Sequence, residues 1–176
     1  AYGLDFTARY QRPNWYVWLS YSQAYVNRDD GTQVYPTVFD RRHNVNFLVS
    51  YQFDGTDQWE AGLRWNYGSP FPFTQTQGFY QDVDFQDILQ TDVLQGNFPI
   101  GTLLAEDKNG GRLAPYHRLD LSLKYTLKFG LYSELETNLS LTNAYNRANV
   151  FYVDRLTNTR IDQLPILPSL GLTLRF

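Results

Sequence analysis

The chain has 176 residues, enough for one domain, and it has no cysteine, which excludes disulfide frameworks and thiol metal sites. Its net charge of −3 gives no indication of nucleic-acid binding. Aromatic residues make up 17% of the chain, yet the mean hydropathy is −0.45 and no run approaches the roughly 20 apolar residues of a membrane helix. This combination is typical of membrane β-barrels, in which only every second strand residue meets lipid.

The first predicted elements are two strands joined by a short turn. Residues 2–10 alternate apolar and polar side chains with the period of two that a strand requires, and residues 11–14 predict the turn. Residues 15–25 predict a second strand, whose alternation is weaker because aromatic side chains also occur on its polar face. Residues 26–42, with two aspartates, a glycine and Pro36, predict a longer polar loop.

A predicted hairpin and a very long loop follow. Residues 44–53 and 59–68 both alternate, and the turn residues 54–57 between them indicate a hairpin. Residues 69–116 form the longest irregular stretch and are rich in proline, glycine and acidic side chains. Such a loop is unusual in a compact soluble domain and is ordinary on the outer side of a large barrel.

Three more strands are predicted in the last third of the chain. Residues 118–129 show the cleanest alternation, and a short turn near Gly130 leads to a strand over about 134–145. A loop over 147–168 follows and contains a predicted β-ribbon at 150–163. The last predicted strand covers 169–176, where one face consists of Leu170, Leu172, Leu174 and Phe176.

These seven strands, of roughly ten residues each, are long enough to cross a bilayer when tilted. Their connections alternate between short turns at 11–14, 54–58 and 130–133 and long loops at 26–42, 69–116 and 147–168. In outer-membrane barrels the short turns are periplasmic and the long loops are extracellular. The sequence therefore predicts an all-β fold, a segment of a transmembrane antiparallel β-barrel in the cell outer membrane.

The alternation also predicts which side chains meet lipid and which line the lumen. The predicted lipid-facing set includes Leu121, Leu123, Leu139, Leu141, Leu170 and Leu172. The predicted lumen-facing set includes Ser122, Lys124, Asn138, Ser140, Gly171 and Thr173. Two interfacial aromatic belts are also expected, with Tyr10, Trp15, Phe53, Trp59, Phe129 and Phe176 beside the short turns and Tyr25, Tyr67 and Tyr145 beside the loops.

Residues 1–176 are expected to be one segment of a larger barrel. Bacterial barrels usually have an even number of strands, and an open sheet in lipid would leave backbone groups without hydrogen bonds. The chain has no methionine and no signal segment, so we expect a mature form, a proteolytic piece or an engineered segment. A wide lumen would also hold the many charges of the polar faces more easily than a narrow one: Asp5, Arg9, Glu60, Arg64, Arg118, Asp120, Lys124, Lys128, Glu134 and Glu136.

Five sequence fragments, in this order, resemble TonB-dependent outer-membrane receptors, especially those of the Bacteroidota-like kind. They are Asp40-Arg-Arg-His-Asn-Val-Asn46; Trp65-Asn-Tyr-Gly-Ser-Pro70 with Pro72 and Thr74; Tyr116-His-Arg-Leu-Asp-Leu-Ser122; Leu141-Thr-Asn-Ala-Tyr-Asn146 with Asn149-Val-Phe151; and Leu164-Pro-Ile-Leu-Pro-Ser-Leu-Gly-Leu-Thr-Leu-Arg-Phe176. The resemblance covers residues 40–176 by motif and residues 1–39 by pattern only.

Members of this family have a 22-stranded barrel around an N-terminal plug, and a short box that binds TonB. The chain resembles about the last seven strands of such a barrel, without plug or box. The resemblance implies energy-dependent import of a scarce nutrient into a Gram-negative cell: a siderophore, haem, cobalamin, glycan or peptide. The implied partners are the remaining strands and plug of the same receptor, TonB, outer-membrane lipid and a surface lipoprotein, with no nucleic acid and no cofactor.

Two histidines, His43 and His117, occur where long loops enter strands, and a His117–Asp120 pair is conceivable at such a rim. Residues three apart on a strand face opposite sides, so the sequence predicts no dyad and no enzyme. Structural roles are expected for both histidines, rather than metal or haem ligation. No catalytic, cofactor-binding or metal-binding residue is predicted, and the substrate-binding residues stay open.

Three further groups of polar or small residues are expected to have structural roles. Asp82, Asp84, Asp87 and Asp92 do not have the spacing of an EF-hand and predict a solvated loop. Gly110-Gly111 predicts a turn. Three asparagines near a strand end are expected to satisfy backbone groups: Asn143, Asn146 and Asn149.

Two alternatives to the transporter stay open at this point. One is a small, complete outer-membrane barrel with a structural or enzymatic role, and the other is a soluble β-sandwich that acts as a binding module. A barrel segment needs further strands beside 2–10 and 169–176, whereas a small closed barrel does not. A soluble module should purify without detergent, whereas both membrane proteins require it.

Overall fold

The structure, a computed structural model, describes residues 1–53, 58–81, 99–129 and 133–176. This part of the chain is all-β, as predicted, and it holds no helix long and apolar enough to cross a membrane. Its strands are β1 (Tyr2–Gln11), β2 (Trp15–Tyr25), β3 (Asn27–Asp29), β4 (Val34–Pro36), β5 (His43–Gln52), β6 (Trp59–Gly68), β7 (Pro72–Phe73), β8 (Thr76–Gln81), β9 (Ile100–Leu104), β10 (Gly111–Arg112), β11 (Tyr116–Phe129), β12 (Ser133–Thr142), β13 (Val150–Asp154), β14 (Thr159–Asp162) and β15 (Leu167–Arg175).

One antiparallel sheet contains the seven long strands, in the order β1-β2-β5-β6-β11-β12-β15. Each long strand is hydrogen-bonded to the next long strand along the chain, so the sheet is a simple up-and-down arrangement. The seven predicted strands are confirmed, and each predicted range agrees with the observed one within a few residues. Among the described residues, β1 and β15 are each paired along one edge only.

The connections between the long strands alternate between short and long segments of the chain. Between β1 and β2, the Arg12 N–H donates to the Trp15 carbonyl at 2.8 Å and the Trp15 N–H donates back at 3.2 Å. The turn predicted at 11–14 is therefore confirmed. The turns predicted at 54–57 and near Gly130 lie outside the described residues.

The long connections contain strands of their own, which corrects the prediction of plain loops over 26–42 and 69–116. The first contains the hairpin β3–β4, and within the second β8 pairs with β9 and β7 with β10. The ribbon predicted at 150–163 is confirmed as β13–β14. Long excursions pair with themselves because their backbone N–H and C=O groups need partners, and positive φ angles at Gly31 (86°) and Asn158 (50°) allow the tight turns.

The large sheet has one apolar and one polar face, and both continue across the strand boundaries. One apolar row of paired residues consists of Val17, Val49, Leu63, Leu121 and Leu141. The adjacent polar row consists of Tyr16, Ser50, Gly62, Ser122, Ser140 and Ser169. The six leucines predicted for one face and the six partners predicted for the other therefore lie on opposite faces of the sheet.

Burial in this structure is inverted relative to a soluble domain. Among the described residues, no aliphatic or aromatic side chain other than proline is buried, whereas the buried polar side chains are Asp40, Ser69, Asn109, Asn143 and Asn149. On the apolar face, Leu139, Leu170 and Leu172 are 51, 63 and 66% exposed. A β-sandwich buries such a face against a second sheet, and the described residues contain no second large sheet to cover it.

Pairs of contacting aromatic side chains lie near both ends of the long strands. Near the short turns, Trp15 contacts Tyr51 and Trp59 contacts Tyr125, with ring centroids 4.4 and 4.5 Å apart. Near the long connections, the corresponding pairs are Tyr2–Tyr25, Trp65–Tyr67 and His117–Tyr145. On β6, Trp59 and Tyr67 are separated by about 26 Å of strand. The apolar face therefore has an aromatic group at both ends.

Candidate functional site

The histidines lie at the loop end of the sheet, which we define as the end where the long connections leave it. His117 Nδ1 is 2.6 Å from the Tyr145 hydroxyl, and His43 Nδ1 is 2.9 Å from the Tyr21 hydroxyl. The ring of His43 also stacks on that of Tyr21, with centroids 6.2 Å apart. Both histidines therefore have an aromatic hydrogen-bond partner beside the apolar face.

Asp120 lies on the opposite face from His117, as predicted, and has other partners. Its Oδ2 accepts from Arg118 Nη2 at 2.9 Å, and its Oδ1 accepts from the Asn143 N–H at 2.9 Å. Within the described ranges, no three His, Cys, Asp or Glu side chains are grouped so that they could hold a metal ion. These contacts give Asp120 a structural role in holding the start of the next loop.

Of the two predictions made for the second long connection, the structure tests only the turn at Gly110-Gly111. Asp82, Asp84, Asp87 and Asp92 lie outside the described residues. The Gly110 N–H donates to the Asp107 carbonyl at 3.4 Å, which confirms a turn there. Gly111 does not continue the turn: it begins β10 and pairs with Phe73, because β7 offers it a backbone partner.

Asn143 organises the loop that follows β12. Its side chain is fully buried, with Oδ1 accepting from the Arg147 N–H at 3.0 Å and Nδ2 donating to the carbonyls of Arg147 and Leu164 at 2.9 and 3.1 Å. Its φ of 55° lies in the left-handed region, which asparagine adopts more readily than most residues. One side chain therefore closes the loop at both ends.

Two further asparagines satisfy backbone groups in the same loop. The side chain of Asn149 accepts from the His117 N–H at 3.1 Å and donates to the His117 carbonyl at 2.9 Å. Its amide therefore forms the two backbone hydrogen bonds that a neighbouring strand would otherwise make with this residue of β11. Asn146 accepts from the Ile166 N–H at 2.9 Å. The predicted backbone-capping role of these asparagines and of Asn143 is confirmed.

A buried ion-pair cluster around Asp40, which the sequence did not mark, joins the first long connection to β10. Asp40 is 1% exposed; its Oδ2 is 2.7 Å from Arg112 Nη2 and 3.5 Å from Arg42 Nε, and its Oδ1 accepts from the Val26 N–H at 2.9 Å. Arg112 also donates to the carbonyls of Asp40 and Pro70, at 3.0 and 3.2 Å. This cluster therefore fixes the two connections to each other.

The electrostatics of Asp40 favour its ionised form. Burial raises the pKa of Asp40, but the hydrogen bonds from Val26 and Arg112 and the positive charges of Arg112 and Arg42 outweigh that effect. The pKa of Asp40 in the folded protein therefore lies below its ordinary value. The carboxylate remains charged and paired at neutral pH.

A polar groove opens at the loop end of the polar face, with a volume of about 390 Å³. Its lining residues are Arg41, Asn44, Asn46, Asn66, Tyr116 and Gln163. Asn66 Nδ2 donates to Asn46 Oδ1 at 2.6 Å. In the part of the chain that the structure describes, the side chains of Asn44, Tyr116 and Gln163 have no hydrogen-bond partner, so the groove presents several free polar groups.

Arg41 forms one wall of this groove. Its guanidinium carbon is 4.1 Å from the centre of the Phe71 ring and 5.7 Å from that of the Tyr116 ring. It also lies against Gly68, where an added Cβ would collide with the guanidinium. Its Nε is buried without a hydrogen-bond partner, and burial lowers the pKa of Arg41. Among the described residues, no carboxylate pairs with this cation.

Comparison with known proteins adds no relative to this description. No protein-family profile matches the chain, and neither the curated proteins nor the solved structures contain a significant match.

Proposed function

We propose that this chain is part of the transmembrane β-barrel of a TonB-dependent outer-membrane transporter that imports a scarce nutrient. The observation that carries the proposal is the apolar face of the seven-stranded sheet, which no second large sheet among the described residues covers and which has aromatic pairs near both of its ends. In water, contiguous exposed leucines would be unfavourable, at roughly 25 cal/mol per Å² of apolar surface. In contact with lipid tails the same face carries no such penalty.

The opposite face has the character expected of a water-filled lumen. Lys124 Nζ is 2.5 Å from Glu60 Oε2, and Ser50 Oγ donates to Glu60 Oε1 at 2.5 Å. Arg175 pairs with Glu134 across β15 and β12. Charged and hydroxyl groups in this number favour water over lipid on this side of the sheet.

The two outer strands support completion of the sheet by further strands. The strands β1 and β15 are ten and nine residues long, and among the described residues neither pairs along its outer edge. In hydrocarbon, each unpaired backbone group would cost several kcal/mol, so these edges need partners. The remaining strands of a larger receptor would supply them, and the five receptor-like fragments favour this family over a small complete barrel.

The orientation of the sheet can be tested with an arginine at each of two adjacent positions on β11. We expect Leu123→Arg in the natural full-length protein to destabilise the assembled barrel by about 2–4 kcal/mol, because it places a cation in lipid near the membrane midplane. Ser122→Arg, its matched control, should cost much less, because its side chain would enter the lumen. The measurements are the amount of protein in the outer membrane and its heat-modifiability on gels. Equal tolerance of the two variants would contradict the proposed membrane face.

Energy coupling needs a separate experiment. We expect deletion of the gene to abolish growth on one limiting nutrient from a panel of iron sources, cobalamin, glycans and peptides. Inactivation of TonB should abolish the same growth, and the double deletion should add nothing, because both proteins act in one import step. A growth defect that persists independently of TonB would overturn the transporter proposal. The comparison of Leu123→Arg with Ser122→Arg would still test whether the sheet is part of a membrane barrel.

A further inference from the structure

We propose that the polar groove around Arg41 binds the anionic oxygen group, carboxylate or phosphate, of a small molecule that also carries hydroxyl groups. This inference rests on the proposed function, because the groove is open to a ligand from outside only if the polar face lines a watery lumen. It assigns the groove as one subsite of the transported nutrient or of a compound that accompanies it.

The guanidinium of Arg41 has donors available for a ligand. A guanidinium has five N–H donors and no acceptor, and those of Arg41 have no hydrogen-bond partner among the described residues. Its Nε is shielded from water, which leaves the two terminal nitrogens as the donors for a ligand. An oxyanion accepts from such a fork through two parallel, charge-assisted hydrogen bonds.

The charge of Arg41 is not neutralised by an ion pair among the described residues. Asp40 is paired with Arg112 and Arg42, whereas no described carboxylate pairs with Arg41. The unpaired cation attracts anions into the groove and disfavours cations.

The side chain of Arg41 is ordered by its neighbours. Its guanidinium contacts the Phe71 ring and lies against Gly68, so a ligand does not have to order a free side chain. The residue just before it, Asp40, is fixed in the buried ion-pair cluster. The position of the cation is therefore set before any ligand arrives.

The remaining lining residues indicate what else the ligand carries. Asn44, Tyr116 and Gln163 offer amide and phenol groups without partners among the described residues. The hydrogen bond from Asn66 to Asn46 leaves the side-chain carbonyl oxygen of Asn66 and the side-chain NH₂ group of Asn46 for a ligand. Such groups match hydroxyls rather than apolar rings, and a volume of about 390 Å³ is within the range of small-molecule sites.

The test uses glucose, gluconate and glucose 6-phosphate as probes on the full-length protein in detergent, with assembly verified by heat-modifiability. We expect gluconate, glucose 6-phosphate or both to bind about tenfold more tightly than glucose, as calorimetry or equilibrium dialysis would measure. Arg41→Gln should remove this preference. Arg41→Lys should keep part of it, because the charge remains while the planar fork is lost.

Arg42→Gln is the matched control, because Arg42 is the adjacent cation, is exposed and lies outside the groove lining. It should change the affinities by less than about twofold. A preference for gluconate alone would identify a carboxylate site, and one for glucose 6-phosphate alone a phosphate site. Equal binding of glucose and both anions, or an unchanged preference in Arg41→Gln, would overturn the inference. Neither result depends on TonB, so failure here is distinguishable from failure of the proposed function.

Discussion

Replacement of Asn143 by alanine is expected to lower the free energy of unfolding by about 3–5 kcal/mol, a large effect for one side chain. The change removes the amide that serves the Arg147 N–H and the carbonyls of Arg147 and Leu164, and each buried group left without a partner costs about 1–3 kcal/mol. Alanine is also less compatible with the φ of 55° at this position.

The effect of Asn143→Ala can be measured by urea titration of the protein refolded in lipid vesicles. Asn158→Ala is the matched control, because Asn158 has a similar φ of 50° but lies exposed in the β13–β14 turn. We expect the control to lose less than about 1 kcal/mol, from backbone strain alone. If both variants lose the same stability, backbone strain explains the effect and the buried amide does not.

Replacement of Asp40 by leucine is expected to destabilise the protein by about 3–5 kcal/mol, because it leaves the partly buried Arg112 without its carboxylate. The double variant Asp40→Leu with Arg112→Met should recover a substantial part of this loss, since it removes both charges together. Asp30→Leu is the control: Asp30 also pairs with a cation, Lys108, but in an exposed position. It should shift the unfolding midpoint little.

Because of the Asp40 carboxylate, the stability of the surrounding fold is expected to fall at acidic pH. Folding lowers the pKa of Asp40, so its ionised form contributes to the free energy of unfolding. This stabilisation is fully present above the ordinary pKa of about 4, and it is lost as the pH falls through the lower pKa of the folded state. Amide exchange in β3–β4, corrected for intrinsic rates, should therefore quicken on acidification in the natural protein. If exchange in Asp40→Leu quickens equally, another group is responsible.

Together, these clusters explain how the described parts of the long connections, which contain no buried aliphatic or aromatic side chain other than proline, are held in place. Asp40 joins the first long connection to β10, and Asn143 and Asn149 close the last one over the end of β11. Buried polar groups of this kind are costly to leave unpaired, so each connection is specified by hydrogen bonds rather than by packing. The Arg41 groove lies beside the Asp40 cluster, whose ion pairs and hydrogen bonds suit a binding site that is formed in advance.

The sequence by itself determined the seven strands, the turn at 11–14, the two faces and the capping asparagines. These features are local, because in a strand the alternation of neighbouring side chains defines the face to which each belongs. Leu121 and Ser122 could therefore be assigned to opposite faces without knowledge of any partner strand. The backbone-capping role of Asn143 could also be predicted from local sequence, since asparagine at a strand end commonly forms hydrogen bonds with nearby backbone groups.

Only the tertiary structure decided the Asp40 cluster, the strands within the first two long connections and the Arg41 groove. Asp40 and Arg112 are 72 residues apart, and they meet because the long connections fold back over the same end of the sheet. In the groove, Arg41 and Gln163 come from the first and last long connections, while Tyr116 belongs to β11. The polar connections have no alternating pattern that would predict contacts between residues so far apart in sequence. Such contacts depend on strand register and on which backbone groups find partners across the fold.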